Sequence, residues 1–154
     1  MNKIIKSFLK SLLLVALAIL LFWIGYVGFI GGPARAYERE DRLMVEAMME
    51  SKGFTEATII DRFSYDEVYY ITEINDDSGN FIFWFNKDLT KTGQHDVVTT
   101  EPVHALATNF GMRPEDVSFG VYQDKLVYVL KNKHFEKFVD IESHNVVYDR
   151  GSGV

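Results

Sequence analysis

The sequence predicts an α+β protein in which an N-terminal transmembrane helix is followed by two modules, each a helix and an antiparallel meander. Three observations predict this class. One long apolar run carries no charge, two helix-like segments are each followed by strand-like segments, and that order occurs twice in the chain. A helix that packs on one face of an antiparallel sheet is typical of α+β folds.

The apolar run lies near the N-terminus. Residues 11–34 include no charged side chain, and residues 12–30 are almost continuously apolar. A helix of about 20 apolar residues crosses the roughly 30 Å hydrocarbon core of a bilayer. Lys3, Lys6 and Lys10 precede the run, and the positive-inside rule places such an end in the cytoplasm. We therefore expect a single-pass protein of the cell membrane whose C-terminal region is extracellular.

A cleaved signal peptide is the alternative to an uncleaved anchor. Ala34 and Ala36 flank Arg35 in the small-x-small pattern of a cleavage site. The apolar region of a signal peptide usually runs about 7–15 residues, however, and this one is longer, which favours the anchor. A lipoprotein is excluded because the chain has no cysteine to carry the lipid.

Composition narrows the function classes. The 154 residues carry a net charge of −6, and the first ten carry +3, so the remainder carries −9. Acidity of this size argues against binding nucleic acid and against lying on an anionic membrane surface. The absence of cysteine removes disulfides, thiolate catalysis and most structural zinc sites. The region beyond the anchor, about 118 residues, suffices for one ordinary core or two small ones.

The first module is predicted to begin with a helix over Tyr37–Lys52 that ends at Gly53, a natural residue for a left-handed helix end. Its apolar stripe is expected to be core, with a Met-rich binding groove as the alternative; the stripe comprises Leu43, Met44, Ala47 and Met48. Strands with β-branched and aromatic residues follow, two of them joined by a hairpin turn at residues 76–79. They are predicted at Ala57–Phe63, Val68–Asn75, Asn80–Asn86 and, as a short fourth strand, Gln94–Thr99.

The second module repeats this order. Its helix is predicted over Glu101–Phe110 and ends at Gly111, and its strands at Asp116–Tyr122, Lys125–Lys131, Phe135–Ile141 and Val146–Tyr148. A shift of 58 residues places Val68–Ile71 on Leu126–Val129, and a shift of 54 places Trp84–Asn86 on Phe138–Asp140. The predicted organisation is a cytoplasmic start (1–10), a transmembrane helix (11–32), a first module (33–99), a second module (100–150) and a flexible tail (151–154).

The third predicted strand is apolar on both faces. Phe81, Phe83 and Phe85 alternate onto one face, while Ile82 and Trp84 point to the other. The module's own helix covers one face. The other face needs a second cover, which is either the second module or a partner protein. We favour the arrangement in which the two modules cover each other.

No catalytic, metal or cofactor site is predicted. The histidines do not form a metal-binding pair on a helix, and no nucleophile elbow or phosphate-binding loop occurs; the histidines are His95, His104, His134 and His144. The acidic residues at 76–80 lie between strands, so a hairpin turn is favoured over a calcium loop, which needs flanking helices.

The order of these elements resembles the cell wall elongation regulator TseB-like (YpmB-like) family of Gram-positive bacteria, which carries tandem cystatin/PepSY-like modules. The resemblance covers nearly the whole chain and rests on aromatic strands and on the start of the second helix. The residues that carry it are Val68–Ile71, Asn80–Phe85, Glu101–Ala105 and Phe138–Asp140. It implies a non-enzymatic, membrane-anchored extracytoplasmic protein that regulates peptidoglycan synthesis by binding a class B penicillin-binding protein.

Two other functions stay open at this stage. PepSY-type modules are also associated with inhibiting or chaperoning secreted peptidases, and an enzyme acting on wall polymer is a third reading, opposed by the missing acid–base pair. For a binding protein, Tyr69, Trp84 and Tyr128 are the candidate partner contacts, because interface hot spots are enriched in Trp and Tyr. The alternative for each of them is the core between the modules.

Overall fold

A computed structural model describes residues 3–28, 32–77, 79–98 and 100–151 of the chain. The chain divides into two compact units, Met1–Leu43 and Met44–Val154. Residues 29–31 of the predicted transmembrane segment lie outside the described residues, as does most of the predicted tail.

The first helix, α1, spans Lys3–Tyr26. Within it, Ser7–Tyr26 has a mean hydropathy of 2.4 and no part of its surface is buried by protein. Twenty such residues are long and apolar enough to cross a membrane. The helix is compatible with a membrane anchor or a signal sequence. It begins within the predicted cytoplasmic start, before residue 11, because helical backbone continues through the lysine-rich segment.

The second helix, α2, spans Gly32–Lys52 and ends at Gly53, whose φ of +77° confirms the predicted helix end. It begins five residues earlier than predicted, since a proline in the first turn is compatible with a helix. The stripe that it buries is rotated by one position from the prediction. Val45 and Met48 are buried, whereas Leu43 and Ala47 are exposed, so their assignment to the core was wrong.

Four antiparallel strands in chain order form the first sheet: β1 (Ala57–Ser64), β2 (Val68–Asp76), β3 (Gly79–Asn86) and β4 (Thr92–Asp96). The first three strands lie where the sequence predicts them, to within one residue at each end. The fourth begins two residues earlier and ends three residues earlier than predicted. Its pairing with β3 places Gly93 opposite Trp84, which the fourth predicted strand did not include.

The second sheet has the same topology. Helix α3 (Thr100–Asn109) precedes β5 (Val117–Tyr122), β6 (Lys125–Lys131), β7 (Glu136–Asp140) and β8 (Val146–Arg150), which pair antiparallel in chain order. Gly111 has a φ of +63° and follows the helix end as predicted. A 3-10 turn over Pro114–Asp116 was not predicted; the Arg113 guanidinium holds it by donating to both carboxylate oxygens of Asp116, at 2.9 and 2.7 Å.

Two hydrophobic clusters hold these elements. One lies between α2 and the first sheet and contains Val45, Met48, Tyr70, Ile74, Phe81, Phe83 and Phe85. The other joins the opposite face of the first sheet to the second sheet and α3. Ile82 and Trp84, 3% and 4% exposed, belong to this second cluster together with Val127 and Phe138. The prediction that the two modules cover each other is confirmed, and so is the mixed α+β architecture with two four-stranded antiparallel sheets.

Candidate functional site

Two of the three predicted partner contacts lie between the sheets. Tyr69 and Trp84 are 2% and 4% exposed, and their rings meet edge to face with centroids 5.9 Å apart. The Trp84 indole lies directly against the backbone of Gly93, where an added Cβ would fall 2.3 Å from the ring. A side chain at position 93 would therefore displace the indole. This burial assigns both aromatic residues to the core and leaves them no surface for a partner in this arrangement.

The third predicted contact, Tyr128, lies on the other face of the second sheet. Its exposure is 0%, and its ring centroid is 5.6 Å from that of Phe119 on the neighbouring strand. Val129, the next residue of β6, instead approaches Phe63 of the first sheet at Gly120. The three predicted residues thus do not converge on one surface, and Tyr128 belongs to the layer beneath α3 and not to the layer between the sheets.

A different set of tyrosines forms an aromatic group at the surface, here called the tyrosine cluster: Tyr65, Tyr122 and Tyr148. Their ring centroids lie 5.3 to 6.0 Å apart, and Tyr65 is 45% exposed. Phe138, which is fully buried, stacks on Tyr148 at 4.5 Å and so anchors the cluster to the core. The three rings come from the β1–β2 turn, the end of β5 and the last strand.

Two main causes raise the pKa of Tyr65 to about 12. The larger is its hydrogen bond with Tyr148, and the smaller is partial desolvation of the phenol. The phenol of Tyr65 is therefore protonated at neutral pH, and its O–H is engaged with Tyr148 within the cluster. Sequence reasoning missed this cluster because Tyr65 sits in a turn and the three residues are far apart in the chain. The 58-residue repeat was the available signal, since it places the end of β1 in correspondence with the end of β5.

A charged side chain joins the two sheets where their edge strands β1 and β5 meet. Asp61 accepts a hydrogen bond from the backbone N–H of Phe119, with 2.8 Å between Oδ2 and N. Phe119 lies 58 residues after Asp61, so the contact links corresponding positions of the two repeats. Burial raises the pKa of the Asp61 carboxyl, and the bond from Phe119 opposes that rise. The contact satisfies an edge-strand N–H that would otherwise be open to another chain.

A cleft of about 240 Å³ opens at another place between the sheets. Its lining includes Trp84 together with His95, Lys125 and Asp140, and so carries both signs of charge. Within the described ranges, no group of three or more His, Asp or Glu side chains is placed to hold a metal ion.

A second cleft, of about 460 Å³, lies between α3 and the second sheet. Its walls are mainly apolar, and Tyr128 is among the residues that line it. Clefts of this volume fall within the range of small-molecule sites in proteins, about 300–1,000 Å³.

Comparison of the chain with models of protein families, with curated proteins and with solved structures finds no match in any of the three.

Proposed function

We propose that this chain is a non-enzymatic, membrane-anchored protein that acts outside the cytoplasm and regulates peptidoglycan synthesis by binding a class B penicillin-binding protein. The finer fold assignment, two cystatin/PepSY-like modules in tandem, belongs to the same proposal. It rests on the family resemblance of the sequence. The supporting observation is an unburied apolar helix, Ser7–Tyr26, in the same chain as a two-sheet unit that displays aromatic residues at its surface.

The anchor gives a weak interface a physical role. Two proteins held in one membrane meet at a high effective concentration, so modest affinity is enough for them to associate. In this proposal the lysines at positions 3, 6 and 10 keep the N-terminus in the cytoplasm, and the two-sheet unit meets the synthase at the outer face.

The contact surface that we propose is the tyrosine cluster, in place of the buried Tyr69, Trp84 and Tyr128. Tyrosine is enriched among the residues that contribute most to protein interfaces. Tyr65 presents nearly half of its surface to solvent, while Phe138 beneath fixes the rings that surround it. Rigid aromatic side chains lose little entropy when a partner covers them, so they suit a binding surface.

Photo-crosslinking in the native host tests this proposal. A photoreactive phenylalanine analogue replaces Tyr65 in the full-length tagged protein, and mass spectrometry identifies the captured proteins. The matched control places the same analogue at Asp77, which is exposed in the turn at the other end of β2. We expect a penicillin-binding protein from position 65 and much less from position 77. Equal capture at both positions, or a synthase from neither, would overturn the proposed surface.

The alternative function is inhibition or chaperoning of a secreted peptidase. One observation favours it: β8 is an edge strand, and its residues Val146 and Val147 are 46% and 43% exposed. An extended peptide can pair with such an edge. Recovery of a secreted peptidase and no synthase in the crosslinking experiment would place this function first.

A further inference from the structure

One residue that lines the cleft between α3 and the second sheet, Tyr128, carries a buried polar group for which the described part of the chain offers no hydrogen-bond partner. The hydroxyl of Tyr128 is buried, and no residue in the described part of the chain makes a hydrogen bond to it. A buried hydroxyl in this state is unfavourable compared with one that is hydrogen-bonded or solvated. Burial also raises the pKa of Tyr128, so the phenol stays protonated and its O–H is a donor without an acceptor.

The walls of the cleft that Tyr128 lines are mainly apolar. Val98 and Val103 line the cleft from the segment that includes α3, and Val117 and Phe119 line it from β5. Glu115 is the one acidic residue of the lining, and it would repel a ligand that carries a negative charge. A matching ligand is therefore small, apolar and uncharged, and it carries an oxygen that can accept one hydrogen bond.

We propose that the cleft beneath α3 is a binding site for a small neutral apolar molecule whose carbonyl oxygen accepts a hydrogen bond from the Tyr128 hydroxyl. The carbonyl would accept a hydrogen bond from the Tyr128 hydroxyl, while the apolar body of the ligand displaces water from the valine-lined walls. This assignment is independent of the partner and of the function proposed above.

The equivalent position in the first repeat is occupied by protein. Tyr70 lies 58 residues before Tyr128, and its ring stacks on Phe85 at 5.2 Å beneath α2. The guanidinium of Arg62 lies 5.9 Å from the Tyr70 ring centroid. The part of α2 from Met44 onward supplies Val45 and Met48 to that cluster. These side chains fill the space beside the first tyrosine, whereas a cleft remains beside the second.

Entry of the ligand requires a small movement. Tyr128 is 0% exposed, so a carbonyl that reaches its hydroxyl lies deeper than solvent does in this structure. Helix α3 is the element placed to move, because only Leu106 and Ala107 of its ten residues are buried among those whose exposure the structure describes. A shift of this short helix opens the cleft without breaking a strand pair.

Paired ligands that differ in the acceptor test the proposal. The full-length protein in lipid nanodiscs, with isotope-labelled valine methyl groups, is titrated with acetophenone and with ethylbenzene, which has a similar shape and no carbonyl. The variants are Tyr128→Phe and, as a control outside the cleft, Tyr70→Phe, which alters the equivalent buried tyrosine of the first repeat. Partitioning of each ligand into lipid is the same for every variant, so comparisons between variants remain valid.

We expect acetophenone to shift the methyl resonances of Val103 and Val117 and to bind Tyr128→Phe about 3–10-fold more weakly than the wild-type protein, the range for one neutral hydrogen bond. Ethylbenzene should bind both proteins equally, and Tyr70→Phe should bind acetophenone as the wild-type protein does. The proposal is overturned if acetophenone binds wild type and Tyr128→Phe alike, if the perturbed methyl groups lie elsewhere, or if neither ligand binds.

Discussion

The two repeats of this protein share their strands and differ in their helices. Each sheet is a four-stranded antiparallel meander in chain order, and in each an Asn or Asp ends the third strand and organises the turn that follows. On the first sheet, Val45 and Met48 of α2 are buried, and on the second sheet Leu106 and Ala107 of α3 are buried. Strand pairing and turn chemistry are thus common to both repeats, while the side chains that the helices supply differ and a cleft remains beside α3.

The largest expected difference between the repeats is found by replacing the equivalent buried tyrosines, Tyr70 and Tyr128, with alanine. Tyr70→Ala should destabilise the protein by about 3–5 kcal/mol, as expected for loss of a large buried aromatic side chain. Tyr128→Ala should cost at least about 1 kcal/mol less, because Tyr128 lines a cleft and so has fewer packed neighbours on that side to lose. Urea unfolding of the purified full-length variants measures both. Equal losses would show that the two helices cover their sheets equally well.

A smaller effect is expected at the residues that organise the turns. The Asn86 side chain is 2% exposed and accepts from the backbone N–H groups of Thr90 and Lys91, both at 2.9 Å. Asn86→Ala removes the acceptor of both N–H groups in a part-buried site and should cost about 2–3 kcal/mol.

At the corresponding position in the second repeat, Asp140 Oδ1 accepts from the backbone N–H and the hydroxyl of Ser143, both at 2.7 Å, in a more exposed turn. Asp140→Ala should cost about 1 kcal/mol. The backbone bond from Ser143, with its hydroxyl, lowers the pKa of Asp140, so the stability that its carboxylate contributes is lost as pH falls through that lowered pKa. Urea midpoints of both alanine variants at neutral pH, and of Asp140→Ala again in acid, check the ranking. A larger loss at Asp140 than at Asn86 would contradict it.

The smallest change in stability is expected at the contact between the repeats, where Asp61 accepts a hydrogen bond from the Phe119 N–H. Burial raises the pKa of Asp61 above its ordinary value of 3.8, so the folded state favours the protonated carboxyl. Its contribution to stability is therefore greatest in acid and is lost as pH rises through the raised pKa. Asp61→Asn keeps an acceptor for the Phe119 N–H without the charge. We expect this variant to match wild type near pH 4 and to equal or exceed its stability at pH 7.

Asp61→Ala provides the control for that substitution. It removes the acceptor and should cost about 1 kcal/mol at neutral pH, since the site is only half-buried. Urea midpoints measured between pH 4 and pH 8 separate the charge from the hydrogen bond. An Asn variant that is less stable than wild type at pH 7 would show that the charge itself stabilises the joint.

The positions of the strands could be predicted from the sequence, whereas the residues that share an exposed surface could not. Alternation of apolar residues placed β1, β2, β3 and β6 because a strand with one or two buried faces leaves a period that can be read directly. The same alternation separates two of the predicted partner contacts, Tyr69 and Tyr128, onto different faces. Under the 58-residue shift Tyr128 corresponds to Tyr70, and neighbouring strand residues point to opposite faces, so a pair that mixes the two cannot share a surface.

The tyrosine cluster shows what a sequence pattern does not contain. Tyr65 lies in a turn, where no period fixes the direction of a side chain, and its contacts with Tyr122 and Tyr148 depend on how β1 crosses β5. The cleft depends on how completely the side chains of α3 cover the sheet beneath it. Both features arise from tertiary packing, which local propensity and periodicity do not determine.

The buried indole of Trp84, packed against Gly93, is an intrinsic fluorescent probe of the layer between the two sheets. The chain has two tryptophans, and the other, Trp23, lies in α1. Replacement of Trp23 by Phe leaves Trp84 as the single tryptophan. Its indole is shielded from solvent and lies directly against the backbone of Gly93. Separation of the two sheets would expose this indole to water and shift its emission to longer wavelength, without any attached label.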